Sequence, residues 1–423
     1  MPHVVILGGG FAGLSAAKEL ERRRNRIRNL RITLVDRNNF MLFTPMLPEA
    51  ATGSVEVRHI AQPFRADLHH VEFLLADVLG VNERSREVEV RHPLTQERTS
   101  LRYDELVFAL GSTPSTLGVP GAGRYGLTLR SVDDARRVRD AVIGALEVAS
   151  HTDEVNERDR LLRFVIVGGG FTGVESAGEL IAFIGSIVKY YPLPKSAVDV
   201  VLVGAESRLL EHLPEKFGKY AARSLRDRGV RVEVGRRVES VDGNGVALDG
   251  GERLESRTVL WDAGVEPSAL VKTLGLKTSS HAAIDVEADF SVSQHPHLWA
   301  IGDCAAVPKK SGGTYAPLAQ NAVREGPLLA RNIIARLRGR ATKRFRYREL
   351  GQMASLGNRQ ALAELPGGKM VTGSAAWLLW RAYYLSRLPG AGRRTRVLLD
   401  WTLGLAFPPS LASLPTEEYE TTK

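Results

Sequence analysis

Four apolar residues, Val4 to Leu7, stand together near the start of the chain, and Gly8-Gly9-Gly10-Phe11-Ala12-Gly13 follows at once. A short continuous apolar run reads as a strand covered on both faces, as in a parallel sheet. Leu14 to Arg24, rich in Ala, Leu and Glu, predicts a helix, and Arg31 to Val35 predicts a second strand ending at Asp36. Together they make a βαβ unit. The same order returns at Arg163. Arg163 to Val167 predicts a strand, Gly168-Gly169-Gly170-Phe171-Thr172-Gly173 a turn, Val174 to about Tyr190 a helix, and Val198 to Val203 the next strand. A duplication of this kind sets the organisation of the whole chain.

A third apolar element, Leu298 to Asp303, reads as a short buried strand ending in a Gly-Asp pair. Polar stretches at Gly121 to Gly126 and Asp153 to Arg160 read as connections between units. From Arg338 to Arg396 the composition turns basic, with Glu349 and Glu364 the only acids, and Glu417 to Lys423 reads as a frayed tail. The pattern predicts an α/β fold: two Rossmann-type dinucleotide-binding domains and a C-terminal helical segment, which the resemblance given below makes membrane-associating. Residues 1–118 with 285–337 would form the first domain, 119–284 the second, and 338–423 the C-terminal segment.

The single cysteine, Cys304, excludes a disulfide framework, a thiolate metal site and a redox pair of cysteines within one chain. Beside Asp303 in a buried strand-turn, it reads as a small core residue. A net charge of +9 suggests an anionic partner, although solvated arginines give the same number. The run at residues 3–7 already reads as a strand, so no signal peptide is expected. The best candidate for a membrane span, Trp401 to Leu414, is interrupted by Pro408 and Pro409 and falls short of the roughly 20 residues a span needs.

Glycines at 8, 10 and 13 between a strand and a helix allow a tight turn, a close approach to a pyrophosphate, and close packing of helix on strand. The helix start then offers its N–H groups and partial positive charge to the phosphates. Asp36 ends the following strand, where a carboxylate can accept from ribose hydroxyls. The second motif repeats the logic, but Gly204 stands at the acid position and Glu206 comes two residues late, with Arg208 nearby. NADH is favoured there and NADPH stays open. Glu175 either stabilises its helix N-terminus, worth under about 1 kcal/mol, or hydrogen-bonds a nucleotide near its nicotinamide end.

These motifs, with Ala109-Leu-Gly-Ser-Thr-Pro114 and Ile301-Gly-Asp303, resemble the two-dinucleotide-binding flavoproteins. Asn39 to Pro48, Ala51-Thr-Gly53, Tyr315 to Ala322, Ala376 to Trp380 and Trp401 narrow the resemblance to the type II NADH:quinone oxidoreductases, over essentially the whole chain. The resemblance implies FAD, non-covalently held by Gly8, Gly10, Phe11, Ala12, Gly13, Asp36, Val78, Ala109, Gly111, Gly302, Asp303 and Ala319. It implies NADH at Gly168, Gly170, Phe171, Thr172, Gly173, Glu175, Glu206 and Gly264, and a quinone near Gln320, Arg324 and Pro45. Glu175 and Gln320 would serve the reaction directly. The family pattern Ala-Gln-x-Ala-x-Gln ends here in Arg324.

Trp377, Trp380, Tyr384 and Leu388 share one helical face, with Arg381, Arg387, Arg393, Arg394 and Arg396 around it. Such a helix lies in an anionic membrane interface or buries its aromatics against the protein or across a dimer contact. The resemblance favours the membrane, with the chain peripheral on its cytoplasmic side. The expected activity is electron transfer from NADH to a membrane quinone without proton pumping. Its rivals are a soluble NAD(P)H-dependent flavin reductase and an NADH-sensing flavoprotein that binds nucleic acid through its basic surface; no nucleic acid is expected, and a homodimer stays open.

Overall fold

The computed structural model describes residues 1–348 and 351–413. They form two compact units. The first comprises Met1–Leu42, Ala61–Thr113 and the described residues from Val265 to 348. The second comprises Phe43–Ile60, Pro114–Gly264 and the described residues from 351 onwards. Residues 265–284 thus belong to the first unit, and 43–60 and the C-terminal helices to the second.

In the first unit, strand His3–Leu7 lies inside a six-stranded sheet, parallel to Arg31–Asp36 on one side and Glu105–Phe108 on the other. All five of its residues are buried, as the unbroken apolar run requires. Strand His295–Ala300 pairs with Glu105–Phe108 and delivers the Gly302-Asp303-Cys304 turn to the same end of the sheet. The first glycine helix, Phe11–Arg23, packs on the helix Ala319–Leu337. The approach is close because Gly326 has no side chain: a Cβ there would stand 2.6 Å from the Ala12 carbonyl oxygen and from the Ala16 nitrogen.

The second unit repeats the plan in a five-stranded parallel sheet, with Arg163–Val167 between Asp199–Gly204 and Thr258–Trp261. Its glycine helix runs Phe171–Ile187, with the tail at Val188–Tyr190 tightening into a 3-10 turn. Phe171–Tyr190 is the one described helix long and apolar enough to cross a membrane, but it is a core helix, 61% buried over its apolar window. Strand Met353–Gly357 of a three-stranded antiparallel sheet lies against it, so close that a Cβ on Gly178 would overlap the Leu356 backbone. Two stretches expected as polar connections are helical: Ala122–Tyr125 and Val155–Leu162. The second is capped by the Glu154 side chain, which accepts from Glu157 N–H at 2.6 Å, a local cap that outweighs its low apolar content.

The C-terminal helices are Gly373–Arg387 and Ala391–Leu403. The aromatic stripe expected to meet a membrane faces inward instead. Trp380 and Leu388 are buried, and Trp380 stacks edge-on against Tyr384 at 4.6 Å and lies 6.5 Å from Trp401. Arg381 also turns inward, between the rings of Trp377 and Trp401 at 3.9 and 4.4 Å. Arg394 is spent on the end of the first of these helices, donating to Leu388 and Ser386 carbonyls. Outward-facing residues are instead Leu378 and Leu379 on one helix and Leu398, Leu399 and Leu403 on the other, followed by Leu405 and Phe407. The second helix ends at Leu403, so the Trp401 to Leu414 stretch is not one helix; Leu414 and the tail from Glu417 lie outside the described residues.

Trp380→Ala removes a fully buried indole and is expected to destabilise by about 3–5 kcal/mol. Leu378→Ala, at a position 61% exposed, is expected to change stability by less than about 0.5 kcal/mol. Urea unfolding of the two variants checks this; equal losses would contradict the inward-facing stripe.

Candidate functional site

The two glycine cradles superpose residue on residue in their bonding. Gly8 N–H donates to the Val35 carbonyl at 2.8 Å, and Gly168 N–H to the Val203 carbonyl at 2.8 Å. Both glycines have positive φ, +101° and +132°. A Cβ on Gly8 would strike the Ala109 carbonyl, and one on Gly168 the Asp262 carbonyl. Gly13 and Gly173 each pass over the carbonyl of their own first glycine. Gly10 and Gly170, by contrast, face open space within 4 Å, and no side chain caps either helix. Each cradle is thus an uncapped helix start with room left in front of it, which suits an anion of phosphate size.

Each cradle also has its carboxylate. Asp36 accepts from Gly9 N–H at 2.6 Å and from Asn38 N–H at 2.8 Å. Burial pushes its carboxyl up, while those two N–H groups and Arg37 pull it back. In the second cradle the Glu206 carboxylate reaches back to Gly169, 3.4 Å from where a Cβ on that glycine would stand. Arg208 is occupied elsewhere, donating from Nη1 to the Leu213 carbonyl at 2.8 Å and from Nη2 to the Glu211 carbonyl at 2.5 Å.

Beyond the first cradle a cavity of about 260 Å³ opens, lined by Ser112, Gly302, Asp303, Tyr315, Asn321 and Glu325 among others. Ser112 Oγ donates to Asp303 at 2.7 Å. Asn321 is buried; its Nδ2 donates to the Ala316 carbonyl at 2.9 Å, while its Oδ1 has no partner. A buried acceptor without a donor costs roughly 1–3 kcal/mol, so it points to a ligand N–H or O–H in the cavity. Gln320 lies at the start of the same helix, its Oε1 accepting from Tyr347 OH at 3.2 Å. Arg324 bonds the Gln320 carbonyl at 2.6 Å and sits over the Tyr347 ring at 4.3 Å.

The second unit holds a buried carboxyl cluster. Glu175 accepts from Ser355 N–H at 2.9 Å, Glu179 from Ser355 Oγ at 3.0 Å, and Glu49 from Trp401 Nε1 at 3.2 Å. Arg381 is 3.9 Å from Glu49, and Arg228 also acts on Glu179. Burial is the main force on all three: it pushes Glu175 and Glu49 up to about 8 and raises Glu179, with like charge adding to the first two. At neutral pH Glu175 and Glu49 therefore favour their protonated forms. Asp262, bonded by Ser176 Oγ at 3.2 Å, is pushed by burial to about 7.

The pyridine nucleotide-disulphide oxidoreductase family matches residues 2–326, and the NDH2 C-terminal domain matches residues 350–405. A probable NADH dehydrogenase of Dictyostelium discoideum is 31% identical across 97% of this chain and 91% of its own length. The type II NADH:quinone oxidoreductase NdhA of Mycobacterium tuberculosis is 32% identical across 96% of this chain and 87% of its own. The chain belongs to the type II NADH:quinone oxidoreductase family. The fold agrees: the structure of NDH2 from Plasmodium falciparum in complex with NADH superposes with a TM-score of 0.90, covering 97% of this chain and 99% of that one at 19% identity.

This type II chain has one cysteine, which cannot form a thiol pair within the chain. Cys304 is buried, bonds the Ile301 carbonyl at 3.3 Å, and is pushed by burial to about 12. Gly8, Gly10, Phe11, Ala12, Gly13, Asp36, Ala109, Gly111, Gly302, Asp303 and Ala319 all lie in the first unit, as does Val78, half-buried in strand Asp77–Asn82. Gly168, Gly170, Phe171, Thr172, Gly173, Glu175, Glu206 and Gly264 lie in the second; Phe171 stacks on His212 at 4.9 Å. Gln320 and Arg324 share Tyr347 in the first unit, and Pro45 belongs to the turn Thr44–Met46 of the second. Sequence reasoning missed Ser112, Asn321, Glu325, Glu49, Glu179 and Asp262. Two signals were available: Glu175 and Glu179 at i and i+4 in an otherwise apolar helix, and Asn321, Glu325 and Leu329 on one helical face.

Glu175 keeps a proton in the folded chain that it loses in the unfolded one. The stability this gives is full below the ordinary carboxylate range and is lost as pH rises through about 8. Glu175→Gln should therefore gain on the native chain by on the order of 2–4 kcal/mol between about pH 5 and about pH 9. Urea unfolding at both pH values measures it, and a difference that does not change with pH would count against the assignment.

Proposed function

We propose that the chain passes electrons from NADH through a non-covalently bound FAD to a membrane quinone, without pumping protons. The observation that carries the reading is the doubled cradle, each copy with open space before an uncapped helix and a carboxylate at its rim. The first fits FAD: Gly8, Gly10, Phe11, Ala12 and Gly13 would cradle the pyrophosphate and Asp36 the adenosine ribose. Ser112, Asp303 and the unpartnered Asn321 Oδ1 would meet the polar part of the cofactor in the cavity, with Val78, Ala109, Gly111, Gly302 and Ala319 around it. Bound FAD would supply hydride acceptance and two-electron delivery; the protein supplies alignment and access.

The second cradle would take NADH at Gly168, Gly170, Phe171, Thr172, Gly173 and Gly264. Glu206 beside Gly169 would accept from a ribose 2′-hydroxyl and repel a 2′-phosphate, and Arg208, bound to carbonyls, would offer that phosphate little. Glu175 would orient the nicotinamide end. Gln320, held by Tyr347, would shape the quinone end with Arg324 and Pro45. A quinone substrate is dissolved in lipid, and the outward leucines of the two C-terminal helices, flanked by Arg387 and Arg396, suit an anionic surface. The chain would then be peripheral on the cytoplasmic side of the membrane.

Anaerobic stopped-flow tests the reading. NADH should bleach a flavin spectrum, and a water-soluble quinone should restore it, faster with anionic liposomes. Bleaching without quinone-driven recovery would favour a soluble flavin reductase, and no bleaching would remove the donor assignment. In the same assay Glu206→Ala should narrow the preference for NADH over NADPH by roughly tenfold, about 1.4 kcal/mol. Gln320→Leu should slow reoxidation by quinone while leaving flavin reduction within about twofold; equal losses in both half-reactions would remove Gln320 from the quinone end.

A further inference from the structure

We propose that Glu325 is a positioning residue of the first cradle, and that it must carry a proton for the anionic part of the bound dinucleotide to be held firmly. The proposal rests on the FAD assignment above. Glu325 stands one residue before Gly326, the glycine that brings its helix onto Ala12 and Ala16 of the first glycine helix. Its Oε2 accepts from Gly302 N–H at 2.7 Å. Gly302 in turn sits against Ala12, 3.1 Å from a Cβ placed on that glycine to the Ala12 Cβ. Glu325 thus ties the Gly302-Asp303 turn to the first turn of the phosphate-facing helix, and it lines the same cavity as Asp303.

Two carboxyl groups in such a place oppose an anion. The charges around Glu325 do not relieve this. From the turn it faces Asp303, whose charge pushes it up. On its own helix, Arg324 is turned to the Gln320 carbonyl and the Tyr347 ring, and Arg331 to the Pro327 carbonyl. On the glycine helix, Lys18 pairs with Asp67, and Glu19 with Arg22 and Arg23. Among the described residues no cation pairs with Glu325. Burial is the largest influence and, with Asp303, raises it to about 7, against the pull of the Gly302 N–H. Diphosphate in the cradle adds like charge and raises it further. A proton on Glu325 leaves one carboxylate, Asp303, at this end of the cavity; its loss leaves two.

The sign follows from linkage. Binding raises the pKa of this carboxyl, so affinity is full while it is protonated and falls as pH rises from about 7. The experiment measures flavin release from the holoenzyme, by recovery of flavin fluorescence after rapid dilution, from about pH 6 to about pH 9. Wild type should release flavin about tenfold faster at the upper end. Glu325→Gln keeps an acceptor for Gly302 N–H but cannot ionise, and should release slowly at every pH. Glu325→Leu loses the acceptor and should release fast at every pH. A flat wild-type profile overturns the proposal without any variant, and so does a Glu325→Gln profile that rises in parallel with wild type. Either outcome in a protein that NADH still bleaches leaves the electron-transfer reading standing and removes Glu325 alone.

Discussion

A helix that begins in contact with the backbone of a neighbouring strand can do so only where no Cβ intervenes, and this chain meets that constraint twice. At Gly8 the neighbour is the Ala109 carbonyl, and at Gly168 it is the Asp262 carbonyl. Everything else in the two units is arranged around these contacts. The central strands are buried on both faces because helices must cover them, the partner strands carry carboxylates to the cradle rims, and the crossing strands supply the carbonyls the glycines pass. Gly326 extends the same economy of space to the helix behind the first cradle. A side chain at any of these positions would move a whole helix start, and its uncapped N–H groups would no longer converge.

The parts of this arrangement that repeat locally were legible from the sequence. A buried strand, a glycine turn and a helix occupy some twenty adjacent residues, so periodicity alone finds them. The acid of the first cradle was equally plain, since Asp36 ends the next strand. Glu206 was harder: its position is late by two residues, and only the path of the chain after Gly204 shows that its carboxylate turns back to Gly169. The helices at Ala122–Tyr125 and Val155–Leu162 escaped because short polar helices depend on caps and packing, and leave no apolar stripe to count.

The larger miss concerns residues far apart in sequence. Glu49, Glu175, Glu179 and Arg381 come from three separate segments, Glu175 and Glu179 sharing one helix, and no window of sequence contains the whole cluster they form. Their burial also explains why the aromatic stripe of Gly373–Arg387 faces inward. Carboxyl groups taken out of water need donors and a neighbouring cation, and Trp401 and Arg381 supply them from the C-terminal helices. Arg381 in turn lies between two indole rings, which shield it and fix its direction. The amphipathic pattern was read correctly as a helix with one aromatic face. What the pattern could not say was which face looks inward, because tryptophan suits a membrane interface and a protein interior almost equally.

The two carboxyl populations in the molecule differ in a way that bears on its chemistry. Asp36 and Glu206 stand at cradle rims, where the proposed task is to accept hydrogen bonds from a ribose. Glu175, Glu49, Asp262 and Glu325 are buried and raised to between about 7 and about 8, so each holds or exchanges a proton near neutrality. Reduction of a quinone consumes two protons as well as two electrons, and an enzyme for it gains from groups that titrate at the pH where it works. The same property is a burden beside a phosphate, where any carboxylate repels. Glu325 shows how the two demands meet: a group buried deeply enough to keep its proton can bond the turn that carries Asp303 without adding a second charge there.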